Sequence, residues 1–104
     1  MSSEDPWARM RELEGAMRST TVQRQALQAQ LGEAEHALAA LPEAGDAWRI
    51  IGNIMVKRDA TTVRAELIGR RDALRSRVDA VTAQEKDLRG KLDALQREVV
   101  KGDV

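Results

Sequence analysis

Few side chains in this sequence are of a kind that does chemistry. His36 is the only histidine, and Glu33 and Glu35 stand close to it. A histidine among carboxylates is the raw material of a proton shuttle or general base. Glu12 and Glu14 form a close carboxylate pair, useful for acid–base work only where an enclosing cleft desolvates one of them. Arg64, Arg70, Arg71, Arg75 and Arg77 form a cation cluster suited to phosphate. Each reading fails once the residues are set on the elements that carry them. His36 falls on a helix, off its apolar seam, and reads as a solvated residue. Glu12 and Glu14 fall on different faces of that helix. The arginines wrap several helix faces, alternate with Glu66, Asp72 and Asp79, and have no aromatic platform beside them. There is no phosphate-binding glycine loop, no metal-spaced His or Cys set, and no nucleophile with a base. The expectation is a protein that is not an enzyme, takes no cofactor or metal, and binds no nucleic acid.

Composition explains why no pocket is expected. The chain has 104 residues, so one domain is the prior. It lacks Phe, Tyr and Cys and has only two Trp. A compact globule of this size fills its core with aromatics. Their absence, with abundant Ala, Leu, Arg, Glu and Gln, favours long helices packed along a narrow seam. Without cysteine there are no disulfides or thiol chemistry, and a cytoplasmic setting is unopposed. No apolar run approaches the roughly 18 residues of a membrane span, so no membrane contact is expected. The N-terminal Met-Ser-Ser-Glu-Asp-Pro is acidic and lacks the form of a signal peptide. Charges sum to zero but are uneven: the chain through Asp46 is acidic, and the segment from Ala47 to Val78 is basic. Mixed charge of this kind reads as a solvated helix face.

The stretch Asp46–Arg58 is where the helical pattern stops. Ala47 to Ile51 and Ile54 to Lys57 are short runs rich in Ile, Val and Trp. Gly52-Asn53 between them signals a two-residue hairpin turn, because glycine takes the positive φ of the first turn position. The expected register sets Ile51 against Ile54, Ile50 against Met55, Arg49 against Val56 and Trp48 against Lys57. One face then carries Trp48, Ile50 and Met55; the other carries Ile51, Ile54 and Val56. Both are apolar. A lone two-stranded hairpin is marginal in water, so other chains are expected to cover it.

Helices flank this stretch. The first is expected over 6–41, capped by Ser3 or Asp5, with Pro6 as its first residue and Pro42 as its stop. Its seam runs Met10, Leu13, Met17, Thr20, Arg24, Leu27, Leu31, Ala34, Leu38, Leu41. The second is expected over 60–100, capped by Asp59. Its seam runs Leu67, Arg71, Leu74, Val78, Val81, Glu85, Leu88, Leu92, Leu95, Val99. Both alternate steps of three and four, the heptad spacing of a coiled coil. The fold class is therefore mainly α: an antiparallel two-helix coiled coil with a β-hairpin over 46–58 at the connection. Counting back from the turn sets Thr20 opposite Glu85 with Arg24 a turn away, so the polar seam positions meet. An Arg24–Glu85 pair is expected there, useful for register more than stability.

In Trp48-Arg-Ile-Ile-Gly-Asn-Ile-Met-Val-Lys57 an aromatic, a basic residue, two apolar positions and a glycine lead into an apolar strand ending in lysine. This resembles the hairpin segment of the prefoldin beta-type subunit, most like the archaeal form. Ala37-Leu38-Ala39-Ala40-Leu41-Pro42 and Lys86-Asp87-Leu88-Arg89-Gly90-Lys91-Leu92 also fit that family's arms. Trp48 stands where tyrosine is usual and Asn53 where proline is common; neither change should break the turn. The resemblance covers nearly the whole chain. It implies a hexamer of two alpha-type and four beta-type subunits, with hairpins joined into an intersubunit β-barrel. It also implies an ATP-independent chaperone that holds unfolded proteins at the arm tips and passes them to a group II chaperonin. The assembly residues would be Trp48, Ile50, Ile51, Ile54, Met55 and Val56. The client-binding residues would be Trp7, Met10, Leu13, Val99 and Val100, with Met17, Leu95 and Val104 nearby. Trp7 and Val100 lie off the seams, whereas the others also suit plain seam packing. Lys86, Arg89, Lys91, Arg97 and Lys101 could meet an acidic chaperonin surface. The alternative is a structural adaptor that dimerises through its hairpin and binds a folded partner. An open hairpin edge in such a dimer weighs against it.

Overall fold

The computed structural model describes residues 5–102. Helix α1 spans Pro6–Ala40, strand β1 Asp46–Ile51, strand β2 Ile54–Asp59, and helix α2 Ala60–Gly102. Ser3, one of the two expected caps, and Val104 lie outside the described residues. Asp5 performs the capping: its carboxylate Oδ1 accepts the Trp7 backbone N–H at 3.1 Å. Pro6 follows as the first helical residue, where its missing N–H leaves nothing unpaired. Helix α1 ends at Ala40 rather than Leu41, because a residue that precedes proline, here Leu41, is pushed out of the helical region.

Contacts group the chain into two compact units, Leu27–Arg77 being one, and α1 through Ala26 with α2 from Val78 the core of the other. In the first, β1 and β2 pair antiparallel in the expected register: Ile51 with Ile54, Ile50 with Met55, Arg49 with Val56 and Trp48 with Lys57. Pairing continues through Ala47 with Arg58 to Asp46 with Asp59. Gly52 has φ of 61° and Asn53 is not left-handed, the sign pattern of a type II′ turn. That turn matches the strands' own twist, so it fixes the register instead of straining it. At the other end, Gly45 takes φ of 93° and its carbonyl accepts the Ala60 N–H at 2.8 Å. Ala60 is fully buried beneath this closure. Asp59 is both the last strand residue and the cap of α2, accepting the Thr62 N–H at 3.1 Å and the Thr62 hydroxyl at 3.3 Å. Arg64 reaches back to the end of α1, donating to the carbonyls of Leu41 at 3.2 Å and Pro42 at 3.0 Å. Arg75 pairs with Glu35 at 3.1 Å. Partners of higher number on α1 meet lower numbers on α2, so the helices run antiparallel in this unit. Leu27, Ala34 and Leu74 are buried, with Leu31, Leu38, Leu41, Leu67 and Arg71 half-buried.

In the second unit Val78, Val81, Leu95 and Val99 are buried, and Met10, Leu13, Met17, Leu88 and Leu92 half-buried. Its seam carries one polar level. Glu85, only 7% exposed, accepts the Arg24 Nε–H at 2.7 Å and the Thr21 hydroxyl at 2.6 Å. The expected Arg24–Glu85 pair is therefore present, but the threonine that completes it is Thr21. Thr20 is buried, and its hydroxyl donates to the carbonyl of Ala16 at 2.8 Å. A threonine four residues after a helical carbonyl can satisfy itself in this way, leaving its neighbour to serve the other helix.

The Thr21 hydroxyl, then the Arg24 guanidinium, hold the Glu85 carboxyl below its ordinary value near 4.5. The unfolded chain takes up this proton at a higher pH than the folded chain. The stability linked to Glu85 is thus complete above the ordinary value and is lost as pH falls through the lowered one. Between about pH 5 and the acid limit of folding, the melting temperature of the wild-type chain should fall more steeply than that of Glu85→Gln. Equal slopes would remove Glu85 from the acid response. Replacing Arg24 alone by Leu should lower the melting temperature, because Glu85 keeps its charge in the seam with one partner fewer. Replacing both Arg24 and Glu85 by Leu should restore or raise it. Asp59→Ala should cost about 1 kcal/mol of stability, read by denaturant titration.

Candidate functional site

The residues that looked capable of chemistry stand apart. His36, Glu12 and Glu14 are exposed on α1. Among the described residues no group of three or more His, Asp or Glu is placed to hold a metal ion. No helix there is long and apolar enough to cross a membrane. Of the arginine cluster, Arg64 and Arg75 are spent on the contacts to α1 already described, and Arg71 bonds to its neighbour Asp72 at 3.1 Å.

The conspicuous surface of the Leu27–Arg77 unit is the hairpin itself. Trp48, Ile50, Ile51, Ile54 and Met55 are all exposed, and Val56 is half-buried. The register explains how. Trp48, Ile50 and Met55 share one face with Asp46 and Lys57, which pair at 3.2 Å. Ile51, Ile54 and Val56 share the other with Ala47, Arg49 and Arg58. At the base of this second face Arg58 pairs with Glu66 of α2 at 2.7 Å, and Arg49 approaches the same carboxylate at 3.9 Å. Ala47 is buried there. The helix thus covers the base of one face, while apolar side chains nearer the turn have nothing over them. A groove on the same unit, floored by Ala37, Leu41, Val63 and Leu67, ends against Pro42 and Trp48. Large apolar side chains exposed on both faces of a strand pair mark a surface made to be covered.

In the other unit the expected client residues divide. Trp7 is 51% exposed and Val100 68%, both off the seams. Met10 and Leu13 are half-buried, so part of each remains open beside Trp7. Leu95 and Val99 are buried and pack the seam itself. Beside Val100 lies a shallow depression lined by Asp93, Gln96, Arg97 and Lys101. Val22, exposed on α1, is a further apolar residue that lies outside the seam. A lone apolar residue two positions from the nearest seam residues has no periodic companions to reveal it. Thr21 was likewise hidden: its role depends on which neighbouring hydroxyl finds a backbone acceptor.

Comparison with known proteins gives this arrangement a family. A family model described as prefoldin subunit matches residues 5–101. The prefoldin subunit beta of Sulfurisphaera tokodaii is 39% identical over 62 residues, a match covering 60% of this chain and half the length of that relative. The prefoldin subunit beta of Pyrobaculum aerophilum is 28% identical over 103 residues, covering 96% of this chain and 82% of that one. The crystal structure of the prefoldin beta subunit from Thermococcus strain KS-1 superposes with a TM-score of 0.84 at 25% identity, over 93% of this chain and 88% of that one. Helix, hairpin and helix thus agree in order and in space, and the chain belongs to the prefoldin subunit family.

Proposed function

We propose that this chain is a subunit of an ATP-independent chaperone that assembles through its hairpin and holds unfolded proteins at its helix ends. Family membership supports a chaperone role. The observation that carries the finer reading is that Trp7 and Val100 are open to solvent although the seams beside them have no need of them. A tryptophan offers a broad apolar face, and the methionine beside it is flexible and polarizable, so the pair suits varied apolar segments. Val99 packs the seam below, and Met10 and Leu13 contribute their open edges. One such patch binds weakly. Several patches in an oligomer bind together, because the first contact raises the effective concentration of the rest. No bond to the client is made or broken, so no cofactor is needed.

The hairpin residues Trp48, Ile50, Ile51, Ile54, Met55 and Val56 form the assembly surface. The partners are alpha-type prefoldin subunits and further copies of this chain, in a hexamer of two alpha and four beta chains whose hairpins close into a β-barrel. Closure satisfies the free strand edges and covers both apolar faces at once. Unfolded proteins are the clients, a group II chaperonin receives them, and the cytoplasm is the setting.

Trp7→Ala with Val100→Ser should leave the assembled mass unchanged and raise the chaperone concentration needed to suppress client aggregation by about tenfold. That is the scale expected when part of one large apolar contact, about 1.5–3 kcal/mol when fully buried, is removed. Unchanged suppression would place client contact elsewhere. Ile51→Asp with Ile54→Asp should abolish the hexamer, measured by native mass after mixing with an alpha-type chain, while circular dichroism stays mostly helical. A normal hexamer from this variant would remove the hairpin from assembly.

A further inference from the structure

We propose that Met55 is an oxidation site whose state decides whether the chain can assemble; this rests on the reading of the hairpin as the assembly surface. Three methionines lie among the described residues. Met10 and Met17 are half-buried along the α1 seam, whereas Met55, the second residue of β2, is 62% exposed. An exposed thioether is the one an oxidant reaches first. The oxidant is a peroxide. Its O–O bond breaks as an S–O bond forms, the sulfur loses two electrons, and hydrogen peroxide leaves as water.

Position gives this ordinary reaction its consequence. Met55 sits directly opposite Ile50, on the face that also carries Trp48. The oxidised side chain keeps its length but gains a strongly polar S–O group. On the free chain that group is hydrated at little cost. Covered by an apolar partner, it loses water and needs a donor. The nearest cation on the same face is Lys57, already engaged by Asp46 at 3.2 Å. Oxidation therefore penalises the covered state and spares the uncovered one. The reverse also holds: assembly covers Met55 and withdraws it from the oxidant. Oxidation and assembly compete for one surface, and unassembled chains are the vulnerable population.

The test uses the full chain and an alpha-type chain. The free chain is treated with hydrogen peroxide, the modified residue is located by peptide mass, and native mass is measured after mixing. Sulfoxide should appear at Met55 before Met10 or Met17, and the modified chain should lose at least tenfold in the fraction assembled. Methionine sulfoxide reductase should restore it. Met55→Leu sets its own baseline without peroxide, and that baseline should not move on treatment. If chains carrying sulfoxide at Met55 assemble like untreated ones, the proposal is wrong while the hairpin remains the assembly surface. If Met55→Leu loses assembly on treatment as the wild type does, the lesion lies at another residue and the proposal is overturned. If Met55 oxidises as fast in the hexamer as in the free chain, the hairpin reading itself fails.

Discussion

A two-stranded ribbon has two faces and two edges, and nothing within it can cover them. That constraint governs the Leu27–Arg77 unit. The chain answers it at the base only, where Ala47 is buried and Glu66 holds Arg58. Toward the turn, Trp48, Ile50, Ile51, Ile54 and Met55 remain open. Leaving so many large apolar groups in water is unfavourable by about 25 cal/mol for each Å². A sequence that keeps them there gains from whatever covers them. The hairpin's register is therefore more than local geometry. A slip of one residue would carry one strand's side chains to the opposite face and part Met55 from Trp48 and Ile50.

The helices solve a different problem. A single heptad seam is narrow, so its residues are partly or fully buried and none of the largest is sealed off completely. Such a seam is repetitive, and a repetitive seam can slide by a heptad. The level formed by Glu85, Arg24 and Thr21 is the feature that does not repeat. Shifted by a heptad, Glu85 would meet Met17 or Leu31 in place of Arg24, and its charge would lie among apolar groups. The polar level thus penalises shifted alignments, at little net gain of its own.

Much of this was legible in the sequence, for identifiable reasons. The hairpin register followed from Gly52-Asn53, since a two-residue turn admits one pairing. Every residue of the two apolar–polar seams is buried or half-buried, because the alternation of three and four reflects helix geometry directly. The Arg24–Glu85 pair could be found by counting back from the turn. Thr21 could not, because the choice between adjacent hydroxyls was made by the carbonyl of Ala16. Arg64 was also hidden in its capping role. Its bonds to Leu41 and Pro42 span more than twenty residues and depend on a long flexible side chain reaching one corner. Period-based reasoning locates faces; it does not locate the partners of side chains that reach around them. The division of the end residues, with Val99 buried and Val100 open, is a difference of one position that periodicity does resolve.

The two joints of the hairpin differ in construction. On the α1 side the chain passes through the loop from Leu41 to Gly45, held by Arg64. On the α2 side there is no loop: Asp59 pairs with Asp46 in the sheet and caps the helix that begins at Ala60. One residue belongs to both elements, and the Gly45 carbonyl clasps the next. The ribbon and the first turn of α2 are therefore continuous in backbone, whereas α1 joins the ribbon only through five loop residues that α2 holds from the side, by Arg64 and by the Ala60 N–H.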